Sequence, residues 1–336
     1  IPLTGFDLRW QAPFRHRAGC IEGSLSLEHI LDYLEWLPRV EMNAYMVQWG
    51  DRGFGFWNRW YEHKYNDLWT ERRTISDEEG QAFDEQVLDA MKLRGLLHHR
   101  VGHGWTDAAL GLKSVGGANQ EDELTEETRR LIAQVGGKRE LWHGRGVVTE
   151  LCNSKPEARE RFIRPILEYA ERHPEVDALH VWLSDGSNNT CECEDCRRLT
   201  HSDWYATILN DLSPRLRQIS PNMRVVFLCY LNTLWPPEEV RLAPGCDNLV
   251  FMFAPSGRCY QHRLGAPDCG QPLPPERPPV NQVTMPQGNV GNMAFLQRWR
   301  PLLPGDGDSF LFDYHFCWDW VLDHIIYDFA ELLPGD

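Results

Sequence analysis

Short apolar runs and longer amphipathic stretches alternate along the chain. An apolar run over Phe14 to Gly19 leads into Leu25 to Pro38, where Leu27, Ile30, Leu31, Leu34 and Leu37 recur at helical spacing and Ser26 stands where an N-cap belongs. Ala44 to Trp49 reads as a strand, and a loop crowded with Phe54, Phe56, Trp57, Trp60 and Tyr61 follows. A helix is predicted from Asp77 to Arg94 and a strand from Leu96 to Val101. After a glycine-rich stretch, Val147 to Cys152 reads as a further short strand. The helix from Pro156 to Arg172 opens on proline, whose missing N–H costs nothing in a first turn. Strand Ala178 to Leu183, helix Asp203 to Ile219, and strands Arg224 to Tyr230 and Asn248 to Phe253 come next. Pro267 to Pro286 reads as a long irregular loop rather than a linker. Helix Asn292 to Leu303, strand Ser309 to Tyr314 and a helical stretch near Val321 to Leu333 close the series.

Repeated strand–helix units imply a parallel sheet covered by helices. The expected fold class is α/β, a (β/α)8 TIM-type barrel. About seven strands are countable, so the last strand or flanking domains are expected to lie outside this chain. Residues 1–336 are read as one (β/α)-barrel catalytic domain, a fragment of a longer multidomain protein. A doubly wound open sheet is the alternative. No glycine-rich phosphate loop follows the first strand, so a nucleotide-binding fold has little support.

Composition narrows the partners. Of 336 residues, 42% are hydrophobic, enough for a sizeable core. With 49 acidic against 34 basic residues the net charge is −15, which repels phosphate backbones and argues against nucleic acid. No apolar run is long enough to span a membrane. The 14 tryptophans suit stacking on the flat faces of sugar rings, though large cores also use them.

In a barrel, chemistry gathers at the C-terminal ends of the strands. Those ends carry Arg15, His16 and Arg17; Gln48, Trp49 and Asp51; Gly102, His103, Gly104 and Trp105; Asp185, Asn188 and Asn189; Tyr230 and Asn232; and Asp313, Tyr314, His315 and Trp318. Polar groups and aromatics recur together, which fits a neutral, polyhydroxylated ligand better than a phosphate or a lipid. Asp185, Asp313, Tyr314 and His103 are the candidate catalytic groups. Arg15, Arg17, Trp49, Trp105, Asn188, Tyr230, Asn232, His315 and Trp318 are the candidate substrate-binding groups. Each has a plainer reading: Asp185 before Gly186 also suits a turn, and Arg17 also suits a structural ion pair.

The stretch RHRAGCIEGSLSLEHILDYLEWLPRVEMNAYMVQWGD resembles the opening of the hexosaminidase-type barrel, and GHGW (Gly102 to Trp105) is similar to the Gly-His after its third strand. ELCNSKPEARERF and LHVWLSDGSNNTCECEDC more closely resemble the domain-of-unknown-function 4838 family. That family shares a glycosidase clan with the endo-acting β-N-acetylglucosaminidases of glycoside hydrolase family 163. The similarity is scattered from about Phe14 to Trp320 and most specific over Leu151 to Cys196. It implies a β-N-acetylglucosaminidase-like hydrolase acting on a carbohydrate or the glycan of a glycoprotein. In the hexosaminidases the fourth strand ends Asp-Glu, the Asp orienting the substrate acetamido group and the Glu serving as general acid. Here that place reads Asp185-Gly186. The acid is then Asp185 itself, Asp313, or Glu192 or Glu194 of the following loop, or the chain is an inactive binding relative. Tyr314 resembles the hexosaminidase tyrosine that bonds the acetamido carbonyl.

Cys191, Cys193 and Cys196 form a CxCxxC cluster, with His201 five residues beyond and Cys152 at the end of a preceding apolar run. Three thiols plus a fourth N or S ligand satisfy tetrahedral zinc; two disulfides using Cys152 are the alternative in an exported protein. Either way the expected role is a structural staple, with no cofactor required for catalysis. A secreted, periplasmic or cell-surface location is expected. The leading function is a retaining glycosidase on β-linked N-acetylhexosamine, N-glycans included, using the acetamido oxygen as nucleophile. The alternatives are a uronic-acid glycosidase, with Arg15 or Arg17 on the sugar carboxylate, and a non-catalytic carbohydrate-binding barrel.

Overall fold

Ser26, Ser76 and Thr200 each accept a hydrogen bond from the backbone N–H three residues on, at 3.2 to 3.3 Å, so three helices start where their side chains end the preceding loops. The computed structural model describes residues 11–12, 14–21, 25–48, 55–64, 72–112, 120–303 and 308–314. It falls into two units, Ile1–Met46 with Phe56–His98, and Val47–Gly55 with His99–Asp336.

In the first unit, β1 (Ala18–Cys20) pairs parallel with β2 (Ala44–Val47), Ala18 opposite Ala44. Helix α1 (Leu27–Trp36) buries Leu27, Ile30 and Leu34, the stripe its spacing predicts. Short α2 (Phe56–Tyr61) and α3 (Asp77–Leu93) complete the unit, with the Trp57 indole N–H donating to Asp84 at 3.2 Å.

In the second unit, β3 (Leu97–Gly102), β4 (Ala178–Val181), β5 (Arg224–Cys229), β6 (Leu249–Phe253) and β7 (Ser309–Leu311) pair in chain order, every pair parallel. All residues of β4 and β6 are buried, which is why β6 reads as an unbroken apolar run and β4 as one interrupted only by His180. Helices α4 (Trp105–Leu110), α5 (Glu126–Arg129), α6 (Pro156–Arg172), α7 (His201–Ile219) and α8 (Asn289–Trp299) lie between or after the strands in sequence. Phe162, Ile166, Tyr205, Leu212, Phe227, Phe251 and Trp299 belong to one buried cluster. The result is a parallel α/β fold consistent with part of a TIM-type barrel.

Val147 to Cys152 corrects the sequence reading. Gly146–Val148 is a 3₁₀ turn, and Leu151 makes only an isolated antiparallel bridge to Ile132. The segment is largely buried, as its apolar residues require, but its backbone bonds go to scattered partners rather than to a neighbouring sheet strand: the Thr149 N–H donates to Gly146, the Cys152 N–H to Leu131, and the Val147 carbonyl accepts from Asp185. The Pro267–Pro286 stretch is irregular, as its prolines predict. The region near 321–333, together with Trp49, His315 and Trp318, lies outside the described residues.

Candidate active site

At the end of β3 the backbone leaves its ordinary conformations. Val101 has φ 70°, Gly102 φ 137° and Gly104 φ 109°. A β-branched residue with positive φ is costly, on the order of 1–3 kcal/mol, and such strain gathers where geometry serves function. A Cβ on Gly102 would stand 2.8 Å from the Trp182 ring, so only glycine lets the turn close against that indole. His103 projects from this turn and meets Trp182 edge to face at 4.8 Å.

The two nitrogens of His103 have different partners. Nδ1 lies 2.9 Å from the Leu183 carbonyl oxygen, which can only accept, so Nδ1 carries the proton. Nε2 then faces Asp185 Oδ1 at 3.6 Å. The Asp185 side chain is 45% exposed while that of His103 is 12% exposed, so the carboxylate sits at the surface with the imidazole behind it.

Asp185 is held by its backbone and its neighbours. Its N–H donates to the Val147 carbonyl at 2.8 Å. The preceding Ser184 hydroxyl donates to Glu150 Oε2 at 3.0 Å. Glu150 is buried and accepts further from the Leu151 N–H and the Asn153 amide, at 2.9 and 3.2 Å. His201 Nε2 stands 3.6 Å from Glu150 Oε2. Burial pushes the His201 pKa down, with Arg277 adding to that and Glu150 opposing it.

The loop after Asp185 is shaped by side-chain amides. Asn188, at φ 54°, donates from Nδ2 to the Val283 carbonyl and accepts from the Val283 N–H, at 3.1 and 2.8 Å. Asn281, at φ 59°, does the same to Thr190, donating to its carbonyl at 2.9 Å and accepting from its N–H at 2.8 Å. Asn232 accepts from the Asn188 N–H and donates to Asn189 and to the Gly186 carbonyl. These bonds give Asn188 and Asn232, expected as substrate-binding groups, a part in fixing the loop. Glu192 is similarly occupied by the Asn281 amide and the Gly136 N–H.

Gly186 accounts for the missing acid. A Cβ there would lie 2.4 Å from the Asn189 amide nitrogen and 2.5 Å from the Val148 carbonyl oxygen. The contact with backbone means that no glutamate fits at this position in the present loop.

Asp313 and Tyr314 follow β7. The Asp313 carboxylate pairs with Arg258 and accepts from the Tyr260 hydroxyl and the Tyr314 N–H, each at 2.8 Å. Its side chain is 6% exposed, so it is a structural anchor between the segments after β6 and β7 rather than a free acid. Ring contacts run from His103 to Trp182, from Trp182 to Phe312 at 6.0 Å, and from Phe312 to Tyr314 at 5.2 Å. Two rings, Trp182 and Phe312, thus stand between His103 and Tyr314. Tyr230 is half-buried at the end of β5, its N–H donating to Thr233.

Trp105 differs from its predicted role. It is buried, its indole N–H donates to the His180 carbonyl at 2.9 Å, and its ring meets Tyr169, so it is a core residue and not a stacking platform. Arg15 and Arg17 lie in the first unit. Arg17 donates to the carbonyls of Glu41 and Phe14, and Asn43 bonds the Arg15 carbonyl. Cys152, Cys191, Cys193 and Cys196 converge. Glu150 and Arg258 escaped sequence reasoning: both lie in stretches that looked apolar or loop-like, and only the fold turns them inward.

Comparisons with known proteins give one family match and several solved structures. The family described as "Domain of unknown function (DUF4838)" matches residues 131–266. No curated protein matches the chain. Among solved structures, the chain is similar to one titled a glycoside hydrolase, at 9% identity and TM-score 0.44, covering 89% of this chain and 78% of that one. It is also similar to the cyclic α-maltosyl-(1→6)-maltose hydrolase of Arthrobacter globiformis, at 11% identity and TM-score 0.33, covering 60% of this chain and 42% of that one. A third is the pneumococcal virulence factor StrH, in a study of N-glycan recognition and hydrolysis, at 9% identity and TM-score 0.41, covering 71% of this chain and 58% of that one. The chain thus spans less than half of the Arthrobacter enzyme.

Proposed function

We propose that this chain carries the site of a retaining glycoside hydrolase that cleaves β-linked N-acetylhexosamine, with the substrate's own acetamido oxygen as nucleophile. The observation that carries the reading is the pairing of exposed Asp185 with His103 at 3.6 Å, behind which the imidazole is locked by Leu183. In this mechanism the acetamido oxygen attacks the anomeric carbon, the bond to the leaving oxygen breaks, and that oxygen takes up a proton from a solvent water. Water then opens the oxazolinium ring, returning the original anomeric configuration. Asp185 accepts from the acetamido N–H and stabilises the positive charge that grows on the ring, a charge-directed effect stronger in the transition state than in the ground state. Tyr314 donates to the acetamido oxygen and helps to fix its approach. Orientation of this kind lowers a barrier by several kcal/mol, up to about 7–11 in the best intramolecular cases.

The resemblance of Gly102 to Trp105 and of the Leu151 to Cys196 stretch to glycosidase families supports this reading. The test is turnover of an aryl β-N-acetylglucosaminide and of a glycoprotein bearing N-glycans, beside the matching β-glucoside and β-glucuronide. Cleavage confined to the acetamido sugar, and inhibited by a thiazoline analogue, is expected. Cleavage of the glucuronide, or binding of glycan without turnover, overturns it.

A further inference from the structure

Four thiols that the sugar chemistry does not use meet beside the loop that follows Asp185. Cys152 Sγ lies 3.6 Å from Cys191 Sγ, 3.7 Å from Cys193 Sγ and 3.8 Å from Cys196 Sγ. All four sulfurs lie within 4.8 Å of one another. Zinc–thiolate bonds of about 2.3 Å in a tetrahedron put neighbouring sulfurs about 3.8 Å apart, which is the spacing found. Disulfides need sulfurs drawn together in pairs at about 2 Å, and here Cys152 is shared almost evenly among three partners.

The surroundings suit a thiolate cluster as well. The Gln134 N–H donates to Cys191 Sγ at 3.2 Å and the Ser154 N–H to Cys196 Sγ at 3.3 Å. Such donors to sulfur are the outer-shell bonds that orient metal-bound thiolates. Four thiolates around a divalent ion carry a net double negative charge, and the Arg139 guanidinium lies beside Cys152 and Cys193 to offset it. Cys152, Cys191 and Cys196 are buried and Cys193 is half-buried.

We propose that Cys152, Cys191, Cys193 and Cys196 bind one structural zinc ion. Four protein ligands close the coordination sphere, so the ion has no open position for water or sugar. Its effect is mechanical. Three ligands come from the loop that leaves Asp185, and the fourth from the segment whose Val147 and Glu150 hold Asp185 and Ser184. The ion therefore ties the carboxylate's two supports to each other. This site stands apart from the glycosidase reading and survives its failure.

A second group, Cys259, His262 and Cys269, needs separating from the first. Its loop is gathered by the buried amide of Asn289, which bonds Cys259, His262 and Arg263. Among the described residues no fourth cysteine, histidine or carboxylate joins that group, which leaves it one ligand short of a closed tetrahedral site.

The experiment is metal analysis of the full chain purified without a polyhistidine tag. Cobalt(II) exchange then follows. One equivalent of zinc is expected, replaceable by cobalt with strong thiolate-to-cobalt charge transfer and the intense visible bands of a tetrahedral site. Cys193→Ser should abolish the charge transfer pattern of four thiolates, while Cys259→Ser with Cys269→Ser should retain it. Should Cys193→Ser fail to fold, alkylation of the wild-type protein decides: these four cysteines should resist labelling in the native protein and label once a denaturant with a chelator strips the metal. Disulfide-linked peptides among the four overturn the proposal. So does metal that is absent, or that vanishes only with the Cys259 and Cys269 changes.

Discussion

Asp185 Oδ1 faces His103 Nε2 at 3.6 Å, while the other nitrogen of the same ring is bound to the Leu183 carbonyl at 2.9 Å. The imidazole cannot turn without breaking that second bond, so Nε2 stays directed at the solvent-facing carboxylate.

Asp185→Asn keeps the shape and removes the charge, so kcat on a proven acetamido substrate should fall by roughly 10²-fold or more, the range of a lost acid or base. Because the side chain is half exposed, Tm should barely move. His103→Gln should give a smaller loss and change the pH–rate profile, since Asp185 remains. Near-normal turnover in Asp185→Asn removes it from the mechanism.

Gly186→Glu recreates the Asp-Glu pair of the hexosaminidases in sequence but should not raise activity. The new side chain meets the Val148 carbonyl and the Asn189 amide, and overpacking of this kind costs about 1–3 kcal/mol. Thermal denaturation should show the loss, and activity assays should show no gain. A stable, more active variant would mean that the loop relaxes freely.

Asp203 is an anchor of the second unit. Its Oδ2 accepts from the Thr200 N–H and hydroxyl, and Oδ1 from the backbone N–H groups of Glu238, Glu239 and Val240 at 2.8 to 2.9 Å. Burial works against its charge, but those donors hold its carboxyl below the usual range. Asp203→Ala strands buried donors and uncaps α7, and should cost about 2–4 kcal/mol in urea denaturation. A change within experimental error would show that water or a rearranged loop replaces the carboxylate.

His201 gives stability a pH dependence. Burial holds its folded pKa below the ordinary value of about 6.5. Between that lowered value and about 6.5 the unfolded chain binds more protons than the folded one, so stability falls as pH drops through this window. Urea midpoints should be lower at about pH 5.5 than at about pH 7.5, and the difference should shrink in His201→Gln. Equal pH slopes in the two proteins would assign the effect to other groups.

Much of this architecture was legible before any coordinates. The Pro156–Arg172 helix has the predicted bounds, Ser26 caps as expected, and Cys152 joins the CxCxxC cluster from 39 residues upstream. These signals are local, or rest on one residue type with one dominant chemistry. What was not legible depends on contacts across the fold. Trp105 looked like a sugar platform because it follows a strand end, but its indole turns inward to His180. Asp313 looked like a free acid, and only the distant Arg258 and Tyr260 make it an anchor. Val147 to Cys152 has strand composition, yet it makes only an isolated bridge to Ile132 and bonds to scattered partners instead of joining the sheet.

The paired asparagines of the Asp185 loop bear on how this protein ages. Asn188 and Asn281 each grip the facing segment through an amide that donates with one atom and accepts with the other. Slow loss of ammonia from either side chain would replace the donor with a carboxylate oxygen, leaving two acceptors face to face where a bond had been. The grip would turn into a repulsion without any change in the gene. Wherever that loss of ammonia occurs, the loop beside Asp185 should lose its order while the strands keep theirs.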